Sequence, residues 1–351
     1  MEKISNILLF IVIMVINLFF VISFISSKKE TFSEEENRYL SKFNIKNIEE
    51  YINDYFPFRT KLIGIKNKIE YLSGKNLING IYVGKDNYLI SDFIDIDKKK
   101  KDYIIDSIND FNNLNGNVDV MIVPDSIYYN SDKVNNIREV DKEDDEISYL
   151  YSKLNTNNVD LRKENITFYK SDHHWTTDGA YEAYKAYFNN KNKYYYDINR
   201  FYRKKVSSNF LGTSSSLVLG LAKEDDIYIY DIDSNIEVNY VYEKKISNSL
   251  YNYDYLDKKD KYAMFLDNNH ALIEITNKDL NDESSIVIIK NSYANCFIPF
   301  IVNHYNKVYV IDLRYFNENV SDFIIKNNIN DKLILYNLNN LYSDLSIVRL
   351  K

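Results

Sequence analysis

The chain opens on an apolar block. Residues 8–25 are nearly all apolar, broken only by Asn17 and Ser23, and Ile4 and Ile7 extend the run. A helix of that length is enough to cross a bilayer. The pattern then changes. Residues 28–36 are polar and acidic and read as a short stem. Leu62, Ile65, Ile69 and Leu72 recur at helical spacing. Residues 80–90 place two short β-type runs around the turn-prone Gly84-Lys85-Asp86-Asn87, which predicts a hairpin.

From about residue 97 helix and strand alternate. Ile104, Ile105, Ile108 and Phe111 form one apolar helix face. Residues 118–123 read as a buried strand stopped by Pro124. A helix over 145–154 and a short strand over 158–161 follow. Thr177 and Asp178 are candidate caps for a helix striped by Ala180, Ala183, Tyr184 and Tyr187. Residues 190–280 are irregular and read as an insertion of short strands. Order returns with a strand at 285–289, a helix at 294–304, a strand at 307–311, a helix at 320–327 and a strand at 333–336. Strands separated by helices predict a mainly parallel sheet covered on both faces, a three-layer α/β domain. The expected organisation is a transmembrane signal-anchor over 1–27, a stem and helix/hairpin region over 28–95, and a catalytic domain over 96–345.

The apolar block exceeds an ordinary signal-peptide core, and Ser23-Phe24-Ile25-Ser26-Ser27 is a poor small-residue cleavage site, so an uncleaved anchor is expected. Lys3 before it and Lys28 and Lys29 after it do not favour export by the positive-inside rule. The extracytoplasmic placement of the domain rests on its expected function. A net charge of −7 and the lack of a basic block argue against nucleic acid as a partner. The single cysteine, Cys296, excludes intramolecular disulfides and cysteine-based zinc sites. No nucleotide, flavin or haem motif is present, so no cofactor is expected.

The candidate chemistry lies in two distant segments. Ser171-Asp172-His173-His174-Trp175 puts an acid two residues before an imidazole, and in extended backbone such side chains share a side. Ser292 ends an apolar run between a strand and a helix, where open α/β sheets place their sites. Asp172, His174 and Ser292 are therefore the expected orienting acid, general base and nucleophile. The helix after Ser292 would aim N–H groups and its dipole at an oxyanion. Alternation sends His173 to the opposite side, towards a carbonyl or a sugar hydroxyl. Trp175 is expected in the core. Ser126, in Val123-Pro124-Asp125-Ser126, is a rival nucleophile after another strand. Asp-His-His also allows a metal reading, but further close ligands are not evident, so no metal is expected.

Lys170-Ser171-Asp172-His173-His174-Trp175-Thr176-Thr177-Asp178-Gly179-Ala180 resembles the signature of the DHHW proteins, which are similar to the SGNH-hydrolase-like domains of alginate O-acetyltransferases. Further blocks match in order: Glu36-Asn37-Arg38, Asp54-Tyr55-Phe56-Pro57-Phe58-Arg59, Phe210-Leu211-Gly212-Thr213, Lys290-Asn291-Ser292-Tyr293 and Ile311-Asp312-Leu313-Arg314. The resemblance implies an SGNH-like (flavodoxin-like) fold with the serine block after the histidine block, a circularly permuted order. It implies acyl, most simply acetyl, transfer to or from polysaccharide hydroxyls at the cell surface. A multi-spanning membrane acyltransferase is the implied donor partner. Two departures stand out. Asn291 replaces an expected Asp, and Asp267-Asn268-Asn269 replaces a Gly-Gly-Asn-like stretch. Both would weaken oxyanion binding or positioning, which keeps a non-catalytic glycan-binding protein as the alternative. His173, Tyr293, Asn268 and Asn269 are the candidate substrate or oxyanion contacts.

Overall fold

The computed structural model describes residues 2–26, 31–134, 139–231 and 234–350, though not every side chain among them. Helices are numbered here as α1 (Glu2–Ser26), α2 (Ile48–Asp54), α3 (Arg59–Leu72), α4 (Lys98–Asn115), α5 (Glu139–Lys153), α6 (Thr177–Asn190) and α7 (Val320–Lys326). The central sheet is built from β1 (Val118–Val123), β2 (Asn157–Asn158), β3 (Ile236–Tyr240), β4 (Lys245–Ser247), β5 (Leu272–Asn277), β6 (Ser285–Lys290), β7 (Lys307–Ile311) and β8 (Asp331–Asn337).

The strand order is β4-β3-β5-β7-β6-β8-β1-β2. The β7-β6-β8-β1-β2 half is parallel, and β5, β3 and β4 add antiparallel pairings at the other edge. The parallel strands β1 and β6 are buried throughout, as near-continuous apolar runs demand when both sheet faces are covered. Alternate residues serve opposite faces. Ile286, Ile288, Leu333 and Leu335 meet the α6 stripe of Ala180, Ala183, Tyr184 and Tyr187. Val287, Ile289, Ile334 and Tyr336 meet α4 through Ile104, Ile108 and Phe111, with Val320 and Phe323 of α7. The expected mixed α/β fold with a large, mostly parallel sheet is what folds.

Several local expectations are corrected. Thr176, not Thr177 or Asp178, caps α6, its hydroxyl accepting from the Gly179 N–H (3.1 Å). Thr177 instead donates to the Tyr228 carbonyl and Asp178 pairs with Arg203. The helix expected over 294–304 is a 3₁₀ turn, Ser292–Cys296, followed by the short helix Ile298–Ile301 with Pro299 near its start. Within the irregular 190–280 stretch, Tyr202–Phe210 and Asp225–Asp231 pair as a separate two-stranded ribbon, while β3, β4 and β5 extend the main sheet.

The N-terminal apolar block is helical as α1, but the expected membrane span is not found. Among the described residues no helix is long and apolar enough to cross a membrane. Residue 27 of the expected anchor and residues 28–30 of the expected stem lie outside the described residues.

α3 forms where the helical spacing of Leu62, Ile65, Ile69 and Leu72 predicts it. It packs inward through Gly64 and Asn67, not through its apolar stripe. An added Cβ at Gly64 would sit 3.5 Å from the Leu219 carbonyl oxygen, and the Asn67 amide donates to that same carbonyl (3.2 Å). Leu62, Ile65, Ile69 and Leu72 face outward.

Candidate functional site

The site is assembled at the carboxyl ends of the parallel strands. Residues 170–174 form a bend, and β6 delivers Ser292 just past its last residue. The bend turns the Asp172 carboxylate back under its own chain, where Oδ1 accepts from the His174 backbone N–H (2.9 Å) and ring Nδ1 (2.5 Å). With Nδ1 carrying the proton, Nε2 is the acceptor. The Ser292 hydroxyl lies 2.7 Å from it. Carboxylate, imidazole and hydroxyl thus form one hydrogen-bonded chain, the arrangement that lets a serine lose its proton to a base held in the correct tautomer.

The surrounding residues fix this chain. The second Asp172 oxygen accepts from the Thr213 N–H (2.7 Å). Gly212 beside it leaves no room for a side chain: a Cβ there would fall 2.1 Å from Asp172 Oδ2. Tyr262 stacks on the His174 ring at 3.8 Å and 10°, and its hydroxyl donates to the Ser292 carbonyl (3.1 Å). Trp175 is fully buried, and its indole N–H donates to the Tyr293 carbonyl (2.7 Å), tying the histidine segment to the serine turn.

Electrostatics follow from this packing. Burial alone would raise the Asp172 carboxyl, but the neighbouring imidazoles of His173 and His174 and the hydrogen bonds from His174 outweigh it and hold it well below the usual carboxylate range. His173 is pulled down to about 4, first by withdrawal from water and then by His174, so it is neutral near pH 7.

His173 corrects an expectation. It does not point to the opposite side, because the backbone is bent there and strand alternation does not apply. Its ring lies 3.9 Å from that of His174, and its side chain keeps 28% exposure. Tyr293 is fully buried and its hydroxyl donates to the His173 carbonyl, so that hydroxyl braces the site from behind. The ligand atoms of Asp172, His173 and His174 lie within 4.8 Å of one another, the geometry of a possible metal trio. A metal there would compete with the Asp172–His174 and His174–Ser292 hydrogen bonds. Ser126 is buried and its hydroxyl accepts from the Asn130 amide (3.1 Å); among the described residues no imidazole is within hydrogen-bonding reach of it. The turn after Ser292 is short, so the long-helix dipole expected there is not available, although the turn's free N–H groups are.

Both sequence departures have structural accounts. Asn291 accepts from the Tyr293 N–H (3.2 Å) and donates through Nδ2 to Asn337 Oδ1 (2.6 Å). Asn337 in turn donates to Asp125 Oδ1 (2.5 Å). Asp125 is already pushed up to about 7 by burial, and the buried Glu143 beside it is raised for the same reason and by Asp125 itself. An acid at 291 would add a third carboxylate to this buried file and remove the donor that Asn337 uses. Leu266, Asp267 and Asn268 all take positive φ (56°, 55° and 80°), the region glycine enters freely. Asp and Asn tolerate it, and Asp267 is held there by Lys245 (2.6 Å) and Asn252 (2.5 Å). Asn268 and Asn269 reach the serine turn through Asn295, whose amide lies 3.5 Å from the Asn268 carbonyl oxygen and 3.4 Å from Asn269 Oδ1.

Sequence reasoning missed Lys290, Tyr262 and the role of Gly212-Thr213. Lys290 is fully buried, donates to Asn269 Oδ1 (2.6 Å) and lies 3.6 Å from Asp312. Burial lowers its ammonium to about 8. A lone lysine ending an apolar run was the available signal.

No curated protein sequence matches the chain. Among solved structures, a DHHW family protein from Eubacterium siraeum is similar at 22% identity and a TM-score of 0.63, covering 77% of this chain and 95% of that one. Bacillus cereus PatB1, solved with a sulfonyl adduct, is similar at 20% identity and a TM-score of 0.63, covering 77% and 98%. The O-acetyltransferase domain of Pseudomonas putida AlgJ is a more distant likeness, at 12% identity and a TM-score of 0.45, covering 78% and 93%. The family model described as DHHW protein matches residues 105–311. That is more than half of the chain and contains Asp172, His174 and Ser292 together, so the chain belongs to the DHHW family.

Proposed function

We propose that this protein is a cell-surface acyltransferase or esterase that moves acetyl groups on polysaccharide hydroxyls through Ser292. The Ser292 oxygen attacks the acyl carbonyl carbon while His174 Nε2 takes its proton. Asp172 holds the imidazole and stabilises the imidazolium that forms. Collapse of the tetrahedral intermediate expels the first alcohol, which takes the proton from His174. A sugar hydroxyl or water then gives its proton to His174, attacks the acyl-serine, and Ser292 leaves with that proton. Asn268 and Asn269, beside the serine turn, are the candidate donors for the oxyanion, and His173 is a candidate contact for the sugar. The chemistry needs no cofactor.

The observation that carries the reading is the 2.7 Å approach of the Ser292 hydroxyl to a His174 ring already anchored on Asp172. The sulfonyl adduct of PatB1, a protein of the same fold, supports it. α1 would hold the domain at the outer face of the membrane, next to a multi-spanning acyltransferase that supplies the acyl group. Acetate release from a model ester should vanish in Ser292→Ala and His174→Ala while the protein stays folded; unchanged release in both variants would end the reading. Product analysis with water and sugar acceptors in competition separates esterase from transferase. Protease digestion of intact cells carrying a C-terminal tag tests the outer location, and full protection of the tag would contradict it.

A further inference from the structure

α3 is amphipathic in the inverted sense for a domain helix. Its inward face is Gly64 and Asn67, and its outward face is Leu62, Ile65, Ile69 and Leu72, which are 45–83% exposed. Phe58, at the cap, continues that stripe one turn earlier and is also exposed. The segment before it repeats the pattern: Ile45, Ile48, Ile52 and Phe56 recur at helical spacing and are all exposed. An exposed apolar surface made of two adjacent stripes is unusual for a monomeric soluble domain and marks an interaction surface.

Four observations identify the occupant. The surface is continuous with α1: Phe19 stacks on Phe58 at 6.2 Å, Phe20 lies 4.9 Å from Phe56 and Phe24 lies 6.3 Å from Tyr51. The described apolar side chains of α1 from Ile7 to Ile16 are themselves exposed. α3 carries Arg59, Lys61, Lys66 and Lys68 against a single acid, Glu70, whereas α2 carries Glu49, Glu50 and Asp54, so the basic edge of the surface is that of α3 alone. An apolar stripe flanked by basic residues suits the boundary between anionic headgroups and acyl chains. Phe58 is also held at a φ of 59°, a costly conformation for an aromatic residue, in which its ring stacks on Phe19.

We infer that residues 45–72 form a collar that lies in the plane of an anionic bilayer surface, with the outward stripes of α2 and α3 embedded beside α1. The inference deepens the proposed membrane attachment and rests on it. The collar would fix the height and tilt of the domain over the lipid, which a single helical tether cannot do.

The test uses the full chain and vesicles of phosphatidylcholine with phosphatidylglycerol. The only native cysteine, Cys296, is buried, so an environment-sensitive fluorophore can be placed at Ile65→Cys, Ile69→Cys and, on α4, the exposed Leu114→Cys. Vesicle co-sedimentation is measured on the same samples. The expected result is co-sedimentation with a blue shift at 65 and 69 and none at 114. Co-sedimentation with aqueous spectra at 65 and 69 overturns the collar and leaves the attachment through α1 standing. No co-sedimentation overturns both. A blue shift without vesicles that grows with protein concentration assigns the face to a second copy of the chain and also overturns the collar. The double variant Ile65→Ser/Ile69→Ser should lose much of its vesicle retention and keep full release of acetate from a soluble ester, which separates this inference from the catalytic one.

Discussion

α3 and α6 have the same length and the same kind of apolar stripe, and they use it in opposite ways. α6 buries Ala180, Ala183, Tyr184 and Tyr187 against β6 and β8. Its stripe anchors the segment that begins with Asp172 and holds Trp175 against the serine turn. α3 seats on the domain by a glycine and an asparagine and leaves its stripe outside. Periodicity therefore identifies an apolar face but not its covering: the sheet covers it in α6, and in α3 it is exposed. The difference lies in the partner surface: the apolar side chains Ile286, Ile288, Leu333 and Leu335 under α6, and the backbone of Leu219 and Gly220 under α3.

The sharpest way to break this contrast is truncation on each stripe. Tyr184→Ala removes a fully buried ring and should cost about 3–5 kcal/mol in urea unfolding. A cost near zero would mean that the α6 stripe is not core. Gly64→Leu tests the inward face of α3, where contacts are already close; overpacking should cost about 1–3 kcal/mol and loosen the helix from Leu219. Ile65→Ser on the outward face should change stability in detergent-free buffer by no more than about 0.5 kcal/mol. If it costs as much as Tyr184→Ala, the stripe is covered after all.

A further test is read from pH, where the sign matters more than the size. Asp125 has its folded pKa raised to about 7 from 3.8, so the folded state holds its proton more tightly than the unfolded chain. That contribution to stability is complete below about pH 4 and is lost as pH rises to about 7. Asp125→Asn should flatten the stability profile across that window, as measured by unfolding at a series of pH values. An unchanged slope would mean that the buried file behind Asn291 does not titrate there.

Much of the fold was legible because the strands are short apolar runs bounded by helices with clear stripes; β1, β6, β7 and β8 fall where the pattern puts them. The pairing of Asp172 with His174 was legible too, but for the wrong reason. A bend brings the two together, and the same bend keeps His173 beside them. Tyr262 and Lys290 were not legible because their roles arise from tertiary approach, a ring laid on His174 and an ammonium buried against Asn269. The glycine-like backbone at Asp267 and Asn268 was hidden as well, since the residue letters do not reveal that both take positive φ.

The central claim is that His174 makes Ser292 a nucleophile. The most direct measurement is covalent labelling of the intact protein by a serine-directed sulfonyl fluoride, with the adduct located by mass spectrometry. The account predicts a single adduct on Ser292, formed at least about 10³-fold more slowly in His174→Ala. Absence of label on Ser292, or equal labelling in the histidine variant, would contradict it.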